Sequence, residues 1–169
     1  MGTPWWVAPP LLFGAALLQS SFFPALGLPV LRPDFVLQMV VIWALLRGWR
    51  EALPWAFVGG LWLDLFSGAP FGTASLAMVI VAFACSAGSV SVFRDNPLLP
   101  VVVVFWASVL YGLLYLFLLR THEIPVPWVS MLRQVVVPGA IVNTLLAPLT
   151  FWGLTRLERR TRSTVAVDW

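Results

Sequence analysis

Asp64 constrains this chain more than any other residue. It is the single carboxylate in an apolar, helix-length run from Pro54 to Gly72, read as PWAFVGGLWLDLFSGAPFG. That run also carries a glycine pair, Gly59 and Gly60, and ends in the turn Ser67-Gly68-Ala69-Pro70 before Phe71 and Gly72. Ala56, Gly60, Asp64 and Gly68 recur at steps of four, so on a helix they share one side. This side lets a second helix approach closely, and it holds an acid that hydrocarbon rejects. An unpaired carboxylate at mid-bilayer costs about 2.5–3.5 kcal/mol even on the lenient insertion scale, more than one close helix contact recovers. Asp64 is therefore expected to face the interior of a bundle.

Composition decides that lipid is the solvent. Hydrophobic residues make up 60% of the chain and charged residues 10%, against roughly 45–50% and about 25% in soluble domains. Ten tryptophans fit the two lipid–water boundaries. At roughly 20 residues per crossing, six or seven helices are the most that fit, which leaves one integral domain and no soluble one. All ten basic residues are Arg, mostly in loops and tail. They are read as topology signals near anionic lipid rather than as nucleic-acid contacts. Cys85 is the sole cysteine, so no internal disulfide forms. No Lys or Arg precedes the first apolar run, so that run is expected to be a retained helix rather than a cleaved signal.

The predicted fold is an all-α integral membrane protein, a six-helix transmembrane bundle over residues 1–155. Its spans are about 5–23, 34–46, 52–66, 72–92, 98–119 and 129–154, and residues 156–169 form a short basic cytoplasmic tail. Pro9 and Pro10 are tolerable in a first turn. The five residues Ser67 to Phe71 make spans three and four antiparallel neighbours. Pro138-Gly139 and Pro148 predict a kink or break in span six. Both termini lie on one face, with Arg47, Arg50, Arg94, Arg156, Arg159, Arg160 and Arg162, while the other face holds Arg32, Arg120 and Arg133. Seven against three puts both termini in the cytoplasm.

In that orientation Asp64 lies in the outer half of the bilayer. Asp34 and Arg32 open span two from the outer side, with Gln38 one turn below, and Gln19 is near the outer end of span one. Arg133 and Gln134 enter span six from the same side, and Asn143 sits near its middle as an interhelical hydrogen-bonding residue. Asp64 then either pairs with Arg32 or Arg133, is protonated, or accepts hydrogen bonds from the Ser67–Phe71 turn. Gly59 and Gly60 are read as packing residues, and His122 as a solvated loop residue.

Reactive constellations are missing from the sequence. One His and one Cys assemble no metal site, and without any Lys there is no phosphate-cradling loop ending in Lys-Ser/Thr. A buried serine with a base beside it is not evident either, because His122 lies outside the spans. The expectation is a non-enzymatic binding or scaffolding protein without cofactor or metal.

Two segments carry a family resemblance. Arg32-Pro33-Asp34 opening span two, and Gly60 to Gly72 with the pattern G-x-x-x-D-x-x-S-G-x-P-x-G, resemble MreD, the rod shape-determining membrane proteins of bacteria. Length, six-span layout, basic tail and the long loop before span six agree with that resemblance over essentially the whole chain. It implies a subunit of the cell-elongation machinery in the bacterial cytoplasmic membrane. The implied partners are MreC, the actin homologue MreB, the glycosyltransferase RodA and its class B penicillin-binding transpeptidase, with membrane lipid around them. The implied role is to organise and activate peptidoglycan synthesis. The resemblance also implies a fold similar to the substrate-binding S components of energy-coupling-factor transporters. An S component for a vitamin is accordingly the alternative function. On the scaffold reading, the region of Asp34, Asp64 and the Ser67–Gly72 turn receives the partner, with Gly60 and Gly68 allowing close approach.

Overall fold

The computed structural model describes residues 7–22, 33–86, 98–122 and 127–163, and all regular structure among them is helical. Helix α1 is Ala8–Leu17, continued by the π-helical turn Leu18–Phe22. Helix α2 is Phe35–Arg47, α3 is Trp49–Ser67, α4 is Thr73–Ser86 and α5 is Leu98–Thr121. Helix α6 begins with Trp128–Met131, passes through the π-helical Leu132–Val136 and continues as Val137–Ser163. The expected end of span four, beyond residue 86, lies outside the described residues.

Helix α2 is the centre of the bundle, and it packs against each of the other five helices. Its sequence, FVLQMVVIWALLR, is apolar on every side apart from Gln38 and the terminal Arg47, and ten of its 13 residues are buried. A helix with no polar face has to be enclosed by protein or by lipid. Thirteen residues rise only about 20 Å, short of the roughly 30 Å of a bilayer core, so enclosure by neighbours suits it. Trp43 is fully buried and stacks on Trp55 of α3, with ring centroids 4.4 Å apart and planes 11° from parallel.

Glycines set the closest contacts. A Cβ on Gly59 would stand 2.7 Å from Val36 Cγ1 of α2, and one on Gly60 would strike the backbone of Ser75 in α4. On α5, Gly112 receives Val136 of α6, where a Cβ would meet Cγ1 at 2.7 Å. The π-helical turn that places Val136 there precedes Pro138. Proline has no N–H to donate and its ring crowds the carbonyl four residues back, so the helix widens instead of running straight. Helix α6 continues past the expected end of span six, through Arg156 and Arg159 to Ser163, so the first part of the basic tail is helical. Near its end the buried Glu158 lies 3.5 Å from Arg47, which ties α6 to the last turn of α2.

The outside of the bundle is apolar. Phe57, Phe83, Trp106, Phe117 and Leu145 are exposed on α3, α4, α5 and α6. So many large apolar side chains exposed on four helices suit a lipid surrounding rather than water. Leu99–Thr121 and Trp128–Arg159 are long and apolar enough to cross a membrane individually, while α2 and α4 are shorter apolar helices.

Candidate functional site

Most of the described polar side chains of the interior gather at one end of the bundle, where α1 and α3 finish and α2 and α4 begin. Asp64 is buried there on α3, and its carboxylate closes the start of α4. Oδ2 accepts from Gly72 N at 3.0 Å, Ser75 N at 3.1 Å and Ser75 Oγ at 2.7 Å, and Oδ1 accepts from Ala74 N at 2.8 Å. The first amides of any helix lack intrahelical acceptors, and the helix end carries partial positive charge, so a carboxylate suits them doubly. Four donors and no described arginine surround it. The ion pair proposed from sequence with Arg133 is thereby corrected, and so is the alternative that drew the donors from the Ser67–Phe71 turn, since they come from Gly72, Ala74 and Ser75, just past it at the start of α4.

The rest of the motif explains how Asp64 reaches across. Gly60 lies one turn earlier on the same face, and its bare backbone lets α4 come close enough for the carboxylate to span the gap. Gly68 ends α3 with φ of 66°, a left-handed conformation that glycine adopts without strain, and Gly72 has φ of 95°. Ser67 Oγ accepts from Ala69 N at 3.3 Å, and Thr73 Oγ1 donates to Pro70 O at 2.6 Å. Ser67 and Gly68 are exposed, and Pro70 and Gly72 are partly buried.

A second network surrounds Asp34, which caps α2. Its Oδ1 accepts from Leu37 N at 3.0 Å and from Gln19 Nε2 of the α1 extension at 3.3 Å. Its backbone N–H donates to Asn143 Oδ1 of α6 at 2.7 Å. The same Asn143 oxygen accepts from Gln38 Nε2 at 3.2 Å, and Asn143 Nδ2 donates to Ser108 Oγ of α5 at 3.0 Å. Gln38 Oε1 in turn accepts from Thr150 Oγ1 at 2.8 Å. One chain of hydrogen bonds therefore joins α1, α2, α5 and α6, with Gln38 and Asn143 buried at its middle.

The sequence-predicted residues divide accordingly. Asp64 belongs to one cluster, joined there by Ser75, which the sequence did not single out, and Asp34, Gln38 and Asn143 form another. Arg32 lies outside the described residues. Arg133 is exposed, contrary to its expected place in a buried polar group. It falls on the outward side of the π-helical turn, and Val136 is the residue turned inward. Gly59 and Gly60 are filled by contacts within the chain, so they do not form a partner face. Ser108 and Thr150 escaped notice because each also bonds a carbonyl of its own helix, Val104 O and Leu146 O, the usual fate of a hydroxyl in a membrane helix.

Two cavities open beside these networks. The larger, about 320 Å³, is lined by Gln19, Ser20, Asp34, Ser67, Tyr111 and Tyr115 among others. The smaller, about 240 Å³, shares Asp34, Tyr111 and Tyr115 and extends between α5 and α6 along Leu116, Val135 and Val136. Among the described residues, no three of His, Cys, Asp and Glu gather closely enough to hold a metal.

The family model described as rod shape-determining protein MreD matches residues 3–156. The chain belongs to the MreD family. It is therefore a membrane protein of the rod-shape machinery, in a family of structural rather than known catalytic proteins. The matched region contains both hydrogen-bonded networks and both cavities of this MreD protein. No solved structure matches the chain.

Proposed function

We propose that this MreD protein is a non-enzymatic six-span subunit of the elongation machinery. It sits in the bacterial cytoplasmic membrane with both termini inside, binds MreC, and thereby helps to organise and activate peptidoglycan synthesis. RodA, its class B penicillin-binding transpeptidase and MreB belong to the same assembly. The observation that carries this reading is the use of the polar side chains. Asp64, Asp34, Gln38 and Asn143 hold helix ends and helix pairs in place, the work of a rigid platform. The partner-facing part is the turn after α3, which the Asp64 cluster fixes and from which Phe71 projects, 66% exposed.

Co-purification of MreC from native membranes tests the assignment. F71D places a charge on an exposed turn without touching the interior. It is expected to lower MreC recovery at least fivefold with an unchanged melting temperature. Undiminished recovery removes the turn from the contact. The alternative, a fold and function like the vitamin-binding S component of an energy-coupling-factor transporter, is favoured by the two cavities. A vitamin retained through purification, with no MreC captured, decides for it.

A further inference from the structure

The two cavities meet at one carboxylate. Asp34 Oδ1 is engaged by Leu37 N and Gln19 Nε2, whereas Oδ2 has no hydrogen-bond partner among the described residues. Asp34 lines both cavities, as do Tyr111 and Tyr115, whose ring centroids are 5.9 Å apart. The Tyr111 hydroxyl likewise has no hydrogen-bond partner among the described residues. No described arginine or histidine lines either cavity, so an anionic head would meet an acid with nothing to offset it. A primary ammonium has the complementary chemistry. It donates a charge-assisted bond to Asp34 Oδ2, and the tyrosine faces attract its charge.

The smaller cavity supplies the other half of the ligand. Leu37, Leu116, Val136 and Ala140 give it an apolar wall, and Val135 on its border is 57% exposed on the outside of the bundle. A hydrocarbon chain can therefore run from the surrounding bilayer between α5 and α6 to the carboxylate. A soluble amine would leave that apolar arm empty. We propose that the paired cavities form a binding site for a membrane lipid with a primary ammonium headgroup, Asp34 and Tyr111 taking the head and the α5–α6 slot the start of the chain. The larger cavity borders the turn at Ser67 but is not lined by Phe71, so lipid selectivity and MreC capture are read out by different variants, D34N and F71D.

Purified full-length protein in nanodiscs, offered equimolar phosphatidylethanolamine, phosphatidylcholine and phosphatidylglycerol of identical chains, tests this by native mass spectrometry of the retained lipid. Phosphatidylethanolamine is expected to exceed each of the others about tenfold, because choline cannot donate the hydrogen bond and glycerol carries no cation. D34N keeps an oxygen to cap Leu37 N while removing the charge, and it is expected to abolish the preference. Y111F, which keeps the ring and loses the hydroxyl, is expected to reduce it partially. Equal retention of the three lipids by the wild type reduces the cavities to an unselective chain slot and overturns the proposal. A preference that survives D34N in a folded variant overturns it as well.

Discussion

Replacing Asp64 separates a helix cap from an ion pair. In D64A the amides of Ala74 and Ser75, both buried, lose their acceptor, as does the partly buried amide of Gly72. A buried donor left unpaired costs about 1–3 kcal/mol, and loss of a negative charge at a helix start adds about 0.5–1 kcal/mol. The Ser75 hydroxyl can turn to a local carbonyl and adds little. We expect D64A to lower stability by about 4 kcal/mol, a large part of the about 5–15 kcal/mol that holds a typical protein together. D64N should lose about half as much, because its single oxygen serves either Ala74 N or the Gly72 and Ser75 amides while its NH₂ confronts the other set. Unfolding in mixed micelles titrated with dodecyl sulfate, followed by tryptophan fluorescence, measures both. An ion pair would make D64N as damaging as D64A. That equality, or a D64A loss below 1 kcal/mol, would refute the capping account.

Three further outcomes follow from the packing. G60A is expected to lower stability by about 1–3 kcal/mol, because its Cβ meets the Ser75 backbone, whereas G14A, with nothing within 4 Å, should leave the melting temperature unchanged or raised. N143A removes three interhelical bonds at about 0.6 kcal/mol each, about 2 kcal/mol in all. A Q38A/N143A double-mutant cycle should be non-additive by about 0.5 kcal/mol or more. R47M leaves the buried Glu158 carboxylate without its guanidinium and should cost about 3 kcal/mol. E51Q, at a partner whose side chain is 25% exposed, should cost about 0.5 kcal/mol in the same titration.

Much of this was legible in the chain itself. The glycine, aspartate and Ser-Gly-x-Pro turn marked the α3–α4 hairpin because each answers a local demand: close approach, a buried acceptor, a left-handed residue. What pattern does not encode is which helix lies in the middle. Residues 35–47 read as one apolar run among several, and an apolar run looks the same whether lipid or protein surrounds it. Gln38 was the visible clue, since an amide at that depth needs protein neighbours. The acceptor role of Asp64 was legible only as an alternative to an arginine, because its donors are backbone amides common to every residue. Arg133 misled for a related reason. Sequence places it at the correct end of α6 but cannot register the π-helical turn that rotates it outward.

The enclosure of α2 bears on how the molecule comes to be made. Gln38 bonds to residues 105 and 112 positions further along, both on the final helix. A nascent chain thus carries an amide deep in an apolar segment through most of its synthesis, with its mates not yet translated. The innermost helix is among the first to be translated and the last to be completed, so a chain cut short before α6 would hold the right segments around an unfinished middle.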